Sequence, residues 1–120
     1  MFTIATDGRV TTTGDILLDG RVIVGSYHML GYRDKTFMGL SISANGQAYL
    51  DLGSAATGYD AVSAAVTSIT FTGGTPVLGG VMPYSGGIYT RLVNPNSSAC
   101  SVTSVTVRVY FVASGALAAL

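Results

Sequence analysis

From Ser104 to Phe111 apolar and polar side chains alternate strictly. Val105, Val107, Val109 and Phe111 fall on one side of an extended chain; Ser104, Thr106, Arg108 and Tyr110 fall on the other. A period of two in β-branched and aromatic residues predicts a half-buried strand over 102–112. A strand of this length is not stable alone. It needs partners on both edges and a second layer over its apolar face, so the pattern places it at the centre of a sheet, with Arg108 on the polar side.

The rest of the chain supplies shorter pieces of the same kind. Phe2 and Ile4 alternate around Thr3, and Asp7-Gly8 is a hairpin turn signal before R-V-T-T-T. Asp15–Val24 repeats the idea around Asp19-Gly20, so Asp-Gly-Arg-Val occurs at 7–10 and again at 19–22. Two copies of a turn-plus-strand unit are too few for a solenoid. Gly25–Thr36 breaks the alternation and reads as an exposed connection. It holds His28 and the charge cluster Arg33-Asp34-Lys35. Residues 37–52 read as a hairpin. Leu40 and Ile42 lie on one face of its first arm, Asn45-Gly46 is the turn, and Ala48, Leu50 and Leu52 oppose Gln47, Tyr49 and Asp51 in its second arm.

Gly53–Ala65 fits either a loop or one helical turn capped by Asp60. Val66–Thr72 is a strand with Ile69 and Phe71 on one face. Glycine pairs at 73–74, 79–80 and 86–87 then separate brief β pieces, P-V-L and V-M-P-Y. Ile88–Val93 is another strand, and Asn94–Ser98 is a turn into the final one. The pattern predicts about seven to nine short strands and almost no helix, the signature of an antiparallel β-sandwich or jelly-roll-like domain. Strand order does not follow from it.

The predicted core is Ile16, Leu18, Val22, Val24, Leu40, Ile42, Leu50, Leu52, Ile69, Phe71, Leu92, Val105, Val107, Val109 and Phe111. Val107→Asp is expected to unfold the domain by burying an unpaired charge. With 120 residues there is room for a single β domain over 1–120. Within it, 113–120 is an apolar C-terminal tail. Cys100 is the only cysteine. It has no internal disulfide partner and sits at a strand entrance, which suits a small buried apolar residue.

Charge changes the picture. The six acids are all Asp, and five Arg and one Lys balance them. Charged residues make up 10% of the chain, where about a quarter is ordinary. Mean hydropathy is +0.50. Few charges and seven tyrosines resemble the composition of a subunit interface, so a homo-oligomer or a subunit of a larger assembly is expected. No basic patch exists to bind nucleic acid. No apolar run is long enough for a membrane-spanning helix, and Met1–Gly14 lacks the pattern of a signal peptide.

Reactive constellations are absent from the sequence. His28 is the only histidine and has no nucleophile motif to serve, so no catalytic residue is assigned. Asp7, Asp19 and Asp60 suit turns or a cap, and Asp34 lies between two cations. Asp15 and Asp51 suit strand edges, so a glycosidase pair is disfavoured. One Cys and one His far apart make no zinc site, no calcium-loop pattern occurs, and the glycine pairs lack the Lys-Ser/Thr of a phosphate loop. No cofactor or metal is expected. Asn96-Ser97-Ser98 matches the glycosylation pattern but reads as coincidence in so serine-rich a chain. Tyr27, Tyr32, Tyr84 and Tyr89 fall in or near loops. Tyrosine serves both protein interfaces and sugar platforms, and the interface reading is preferred.

The opening T-D-G-R-V-T-T-T-G-D-I-L-L-D-G, the Gly-, Ser- and Thr-rich middle and the closing S-V-T-V-R-V-Y-F-V give the chain its texture. It resembles small structural proteins of tailed-bacteriophage virions, both head-decoration (cement) proteins and fibre β domains. The resemblance implies a non-enzymatic protein of the virion. Such a protein is a β domain, often a trimer, that clamps neighbouring capsid subunits or projects from the particle, commonly attached through an N-terminal arm, for which 1–13 is the candidate here. The expected partners are further copies of the chain and the major capsid or another virion protein. Phe2, Ile4, Tyr27, Tyr32, Tyr84, Tyr89, Leu117 and Leu120 are the candidate interface residues. The alternative is a carbohydrate- or receptor-binding β domain of a fibre or spike.

Overall fold

The computed structural model describes residues 2–4, 6, 10–12, 23–24, 27–117 and 119–120. The Asp7-Gly8 and Asp19-Gly20 turns and the expected core residues Ile16, Leu18 and Val22 lie outside the described residues. So do the side chains of Phe2, Ile4, Val24, Tyr27 and His28. The described chain is all-β and antiparallel. Two short pairs come first: β1 (Phe2–Ile4) with β2 (Val10–Thr12), and β3 (Ile23–Val24) with β4 (Tyr27–His28). The antiparallel β1–β2 pairing is the one expected of a hairpin.

Two sheets then pack face to face. The first is built from three long strands in the order β5 (Leu30–Ile42), β11 (Cys100–Ala113), β7 (Tyr59–Gly73). In the second, β10 (Gly87–Val93) is flanked on one side by β6 (Gln47–Ser54). On its other side lie β8 (Val77–Leu78) and β9 (Met82–Tyr84), which pair with its two ends. The final strand is central, as its length and alternation require.

Three sequence expectations are corrected. The described part of segment 25–36 is nearly all strand: β4 covers Tyr27–His28, and β5 begins at Leu30 and places Arg33-Asp34-Lys35 in register with Val109, Arg108 and Val107. Polar alternation hid it: a strand whose outer face carries Tyr32, Asp34 and Thr36 looks like a loop to a hydrophobic pattern. The segment 53–65 holds neither a helical turn nor a long loop. Only 55–58 turns, and β7 starts at Tyr59.

The 37–52 segment turns where expected, with Asn45 at φ 57° and the Gly46 N–H donating to the Ser43 carbonyl at 2.9 Å. Its arms do not pair with each other, however. β5 joins β11 and β6 joins β10, so the chain arches from one sheet to the other. The apolar residues of both arms meet across the core rather than side by side.

The same arching recurs between β6 and β7, β7 and β8, and β10 and β11. Among the paired strands beyond β4, only β9 and β10 form a hairpin between consecutive strands. Its loop is Ser85-Gly86, with φ of 50° and 78°, the doubly left-handed turn that tight hairpins use.

The core lies between the sheets. Ile42, Leu50, Leu52, Ile88, Leu92, Cys100, Val102, Val105, Val107, Val109 and Phe111 are buried, and Phe37, Leu40, Ile69 and Phe71 pack against them. Cys100 is a buried free thiol, as expected. Ile88 and Val102 join the residues anticipated from the pattern. Val102 and Val105 both face inward although two residues separate them. β11 bulges here against β7, and β5 passes through Gly39 at φ 68° at the same level. Both strands therefore change phase together, and Leu40 and Phe37 stay opposite Val102 and Val105.

Arg33 leaves the surface to tie the two sheets. Its Nη1 donates to the Ser54 carbonyl at 2.7 Å and the Leu52 carbonyl at 3.2 Å, and its guanidinium lies 5.1 Å from the Phe111 ring centre. Gly53, at φ 99°, leaves room for it: a Cβ there would stand 3.0 Å from Nη1.

Candidate functional site

The two sheets leave two outer faces of different character. On the first sheet, Leu30, Tyr32, Asp34, Thr36 and Met38 of β5 share the outer face with Tyr110, Arg108, Thr106 and Ser104 of β11. Ser63, Ala65, Ser68 and Thr70 of β7 complete it. Small residues on β7 keep this face low. Leu30, Tyr32 and Met38 are each more than 60% exposed.

Its charges cancel locally. Arg108 Nε donates to Asp34 Oδ1 at 2.8 Å and Nη2 to Oδ2 at 3.0 Å, a bidentate pair between directly opposed residues. The guanidinium also lies 3.9 Å from the Tyr32 ring centre, and the Thr36 and Thr106 hydroxyls bond at 2.8 Å.

The hydrogen bonds from Arg108 hold the Asp34 carboxyl below its ordinary 3.8. A depressed acid stabilises the fold above its unfolded pKa, and that contribution fades as pH falls through the lowered value. An NMR titration should therefore place Asp34 below 3.8 in the wild type and return it to the ordinary range in Arg108→Leu. The variant should show less loss of melting temperature on acidification.

The second face belongs to β6, β10 and β9. Period two turns Ala48, Leu50 and Leu52 inward and Gln47, Tyr49 and Asp51 outward. Tyr89 and Arg91 do the same on β10, opposite Asp51 and Tyr49. Met82 pairs with Tyr89 from the other side. Together Tyr49, Met82, Pro83, Tyr84 and Tyr89 line an open cleft of about 680 Å³. Beside it, sharing Tyr89, is a polar hollow of about 260 Å³ lined by Asp51, Gly53, Ser54, Ser85, Gly86 and Gly87.

Two of the three tyrosines, Tyr89 and Tyr49, are held in place. The Tyr89 ring lies over Gly87, where a Cβ would come within 2.9 Å of it. The Tyr49 hydroxyl accepts from Gln47 Nε2 at 3.1 Å, and Gln47 Oε1 in turn accepts from Arg91 Nη1 at 3.3 Å.

The candidate interface residues thus separate. Tyr32 is on the first face, and Tyr84 and Tyr89 are on the second. Leu117 and Leu120, beyond β11, are exposed. Phe2, Ile4 and Tyr27 lie in β1 and β4. Sequence reasoning missed Tyr49 and Met82. Alternation already placed Tyr49 on the outer side of its strand, but only the β6–β10 register brings it beside the other aromatics.

The described acids have structural partners. Asp60 Oδ1 accepts from the Ser114 hydroxyl at 3.1 Å, and Asp51 Oδ1 accepts from the Gly53 N–H at 2.9 Å. Asp60 opens a strand rather than capping a helix. The Asn96 amide donates to the Thr75 carbonyl and to Asn94 Oδ1, so its nitrogen is engaged in the fold. Among the described residues no group of three or more His, Cys, Asp or Glu could hold a metal ion, and no helix is long and apolar enough to cross a membrane.

The fold is an all-β sandwich of two antiparallel sheets with two unlike outer faces. Comparison with protein-family models, characterised proteins and solved structures finds no match to this chain.

Proposed function

We propose that this chain is a non-enzymatic structural protein of a virion, of the capsid-decoration type, which binds and stabilises a capsid lattice as a homo-oligomer, a trimer by preference. The observation that carries the reading is the outer face of the β5–β11–β7 sheet. It exposes Leu30, Tyr32, Met38 and Tyr110, and has its one opposed pair of charges neutralised in place. Such a face docks against protein without leaving a charge unpaired, and identical copies do not repel one another across it. Aromatic and methionine side chains are those enriched at interfaces. The overall scarcity of charge, 10% of residues, has the same sense: a surface meant to be covered needs little solvation.

Sedimentation of the purified chain at micromolar concentration, alone and with capsid particles, tests the reading. An oligomer that co-sediments with particles is expected. Tyr32→Ala combined with Met38→Asp should abolish one or both associations while leaving the melting temperature within a few degrees, since both side chains are exposed. A monomer with no affinity for any particle overturns it.

A further inference from the structure

We propose that the tyrosine cleft on the opposite sheet is a binding site for a neutral sugar of the hexopyranose class. This role is additional to the scaffold role and independent of it.

A pyranose is amphipathic in a particular way: its ring carries faces of C–H groups and a rim of hydroxyls that both donate and accept. A site for it needs an aromatic floor against one face and acceptors and donors along an edge. The cleft supplies the floor with Tyr49, Tyr84 and Tyr89, contributed by three adjacent strands, and extends it with Met82 and Pro83. Its volume of about 680 Å³ lies in the range of small-ligand sites. The polar hollow that shares Tyr89 supplies the edge: the Asp51 carboxylate, the Ser54 and Ser85 hydroxyls and the backbone of Gly86-Gly87. Asp51 uses Oδ1 to hold the Gly53 N–H at 2.9 Å, which fixes the carboxylate and leaves Oδ2 to accept from ligand hydroxyls.

Two further features distinguish this surface from a generic sticky patch. Two of the three rings of the floor are held before any ligand arrives. Tyr89 rests on the bare backbone of Gly87, and Tyr49 is held through Gln47 by Arg91. Ordering these rings beforehand removes an entropic cost of binding. The electrostatics also select. Arg91 lines neither the cleft nor the hollow, and the one charged group of the hollow is the Asp51 carboxylate. An acidic sugar or a phosphate would meet like charge there, whereas a neutral polyol meets an acceptor.

The test uses the intact chain, ligand-observed NMR with a panel of neutral methyl hexopyranosides, and an array of neutral and sialylated oligosaccharides. At least one neutral sugar is expected to bind. Tyr84→Ala and Asp51→Asn should each weaken it about tenfold or more. Tyr32→Ala, on the other sheet, should bind as the wild type does. Tyr84 is 74% exposed, so an unchanged melting curve will show that its variant is folded. Three outcomes overturn the proposal: no neutral sugar bound at millimolar concentration, preference for sialylated over neutral glycans, or a Tyr84→Ala variant that retains binding. If Tyr84→Ala instead dissociates an oligomer and no sugar binds, the cleft belongs to a second copy of the chain.

Discussion

Val105→Asp unfolds this protein, and Val107→Asp, one pair further along the same strand, does so less completely. Both valines are fully buried on the central strand. A carboxylate at either position loses its hydration and must be neutralised or paired, at an effective cost of several kcal/mol per ion. That is a large part of the roughly 5–15 kcal/mol by which a domain of this size is stable. The two sites differ in what stands opposite. Val105 is flanked across the sheet by Phe37 and Ile69, neither of which can answer a charge. Val107 is flanked by Val66 and by Lys35, which is exposed and can bring its ammonium toward the new carboxylate.

Alternation alone predicts equal damage at both positions; the register predicts a difference. Chemical denaturation of the two variants checks it. Adding Lys35→Met to Val107→Asp should bring that variant down to the level of Val105→Asp. Equal stabilities without that change would mean that the β5–β11 register is wrong.

Asn94→Ala should cost about 2–4 kcal/mol, because it orphans several backbone groups at once. Asn94 is fully buried in the crossing between β10 and β11. Its Nδ2 donates toward the carbonyls of Ser98 at 2.8 Å, Ser43 at 3.2 Å and Ile42 at 3.4 Å. Its Oδ1 accepts from the Asn96 backbone N–H and side-chain amide. One amide thus joins the 43–46 arch to the 94–98 turn, and those two also exchange backbone bonds, Asn45 to Asn96 and Asn94 to Gly46.

The surroundings are built to this side chain. A Cβ on Gly74 would come within 2.6 Å of Asn94 Oδ1, and one on Gly73, at φ 89°, would run into the Ala99 carbonyl. Thermal melting should fall by about 10 °C. Asn94→Asp should be worse at neutral pH, since a carboxylate would face carbonyl oxygens, and should recover partly on acidification as the acid protonates. A melting temperature within a few degrees of wild type for Asn94→Ala would remove this residue from its place as the tie between the arches.

Much of the fold was legible residue by residue. The inward set Val105, Val107, Val109 and Phe111, with Leu50, Leu52 and Leu92, followed from alternation. A buried apolar face and a wet one leave a period-two imprint whatever the neighbouring strand is. The central place of the last strand followed from its length. The segment 30–36 was not legible, because its apolar content is spent on an outer face that carries Tyr32. The tyrosine cleft was half legible: Tyr84 and Tyr89 stood out by position, while Tyr49 was seen only as the outer residue of a strand.

The sequence by itself determined that this chain is made of strands, which side of each strand is apolar, and where the turns at Asn45-Gly46 and Asn94–Ser98 fall. Only the tertiary structure decided which strands lie side by side. A turn that folds a strand back beside its predecessor and one that carries it across to the opposite sheet require the same alternation and similar turn residues. The two differ in whether the chain's hydrogen bonds or its apolar side chains meet the preceding strand. That choice, made at the arch between β5 and β6, separates Tyr32 from Tyr49, Tyr84 and Tyr89 and so gives the molecule two faces instead of one.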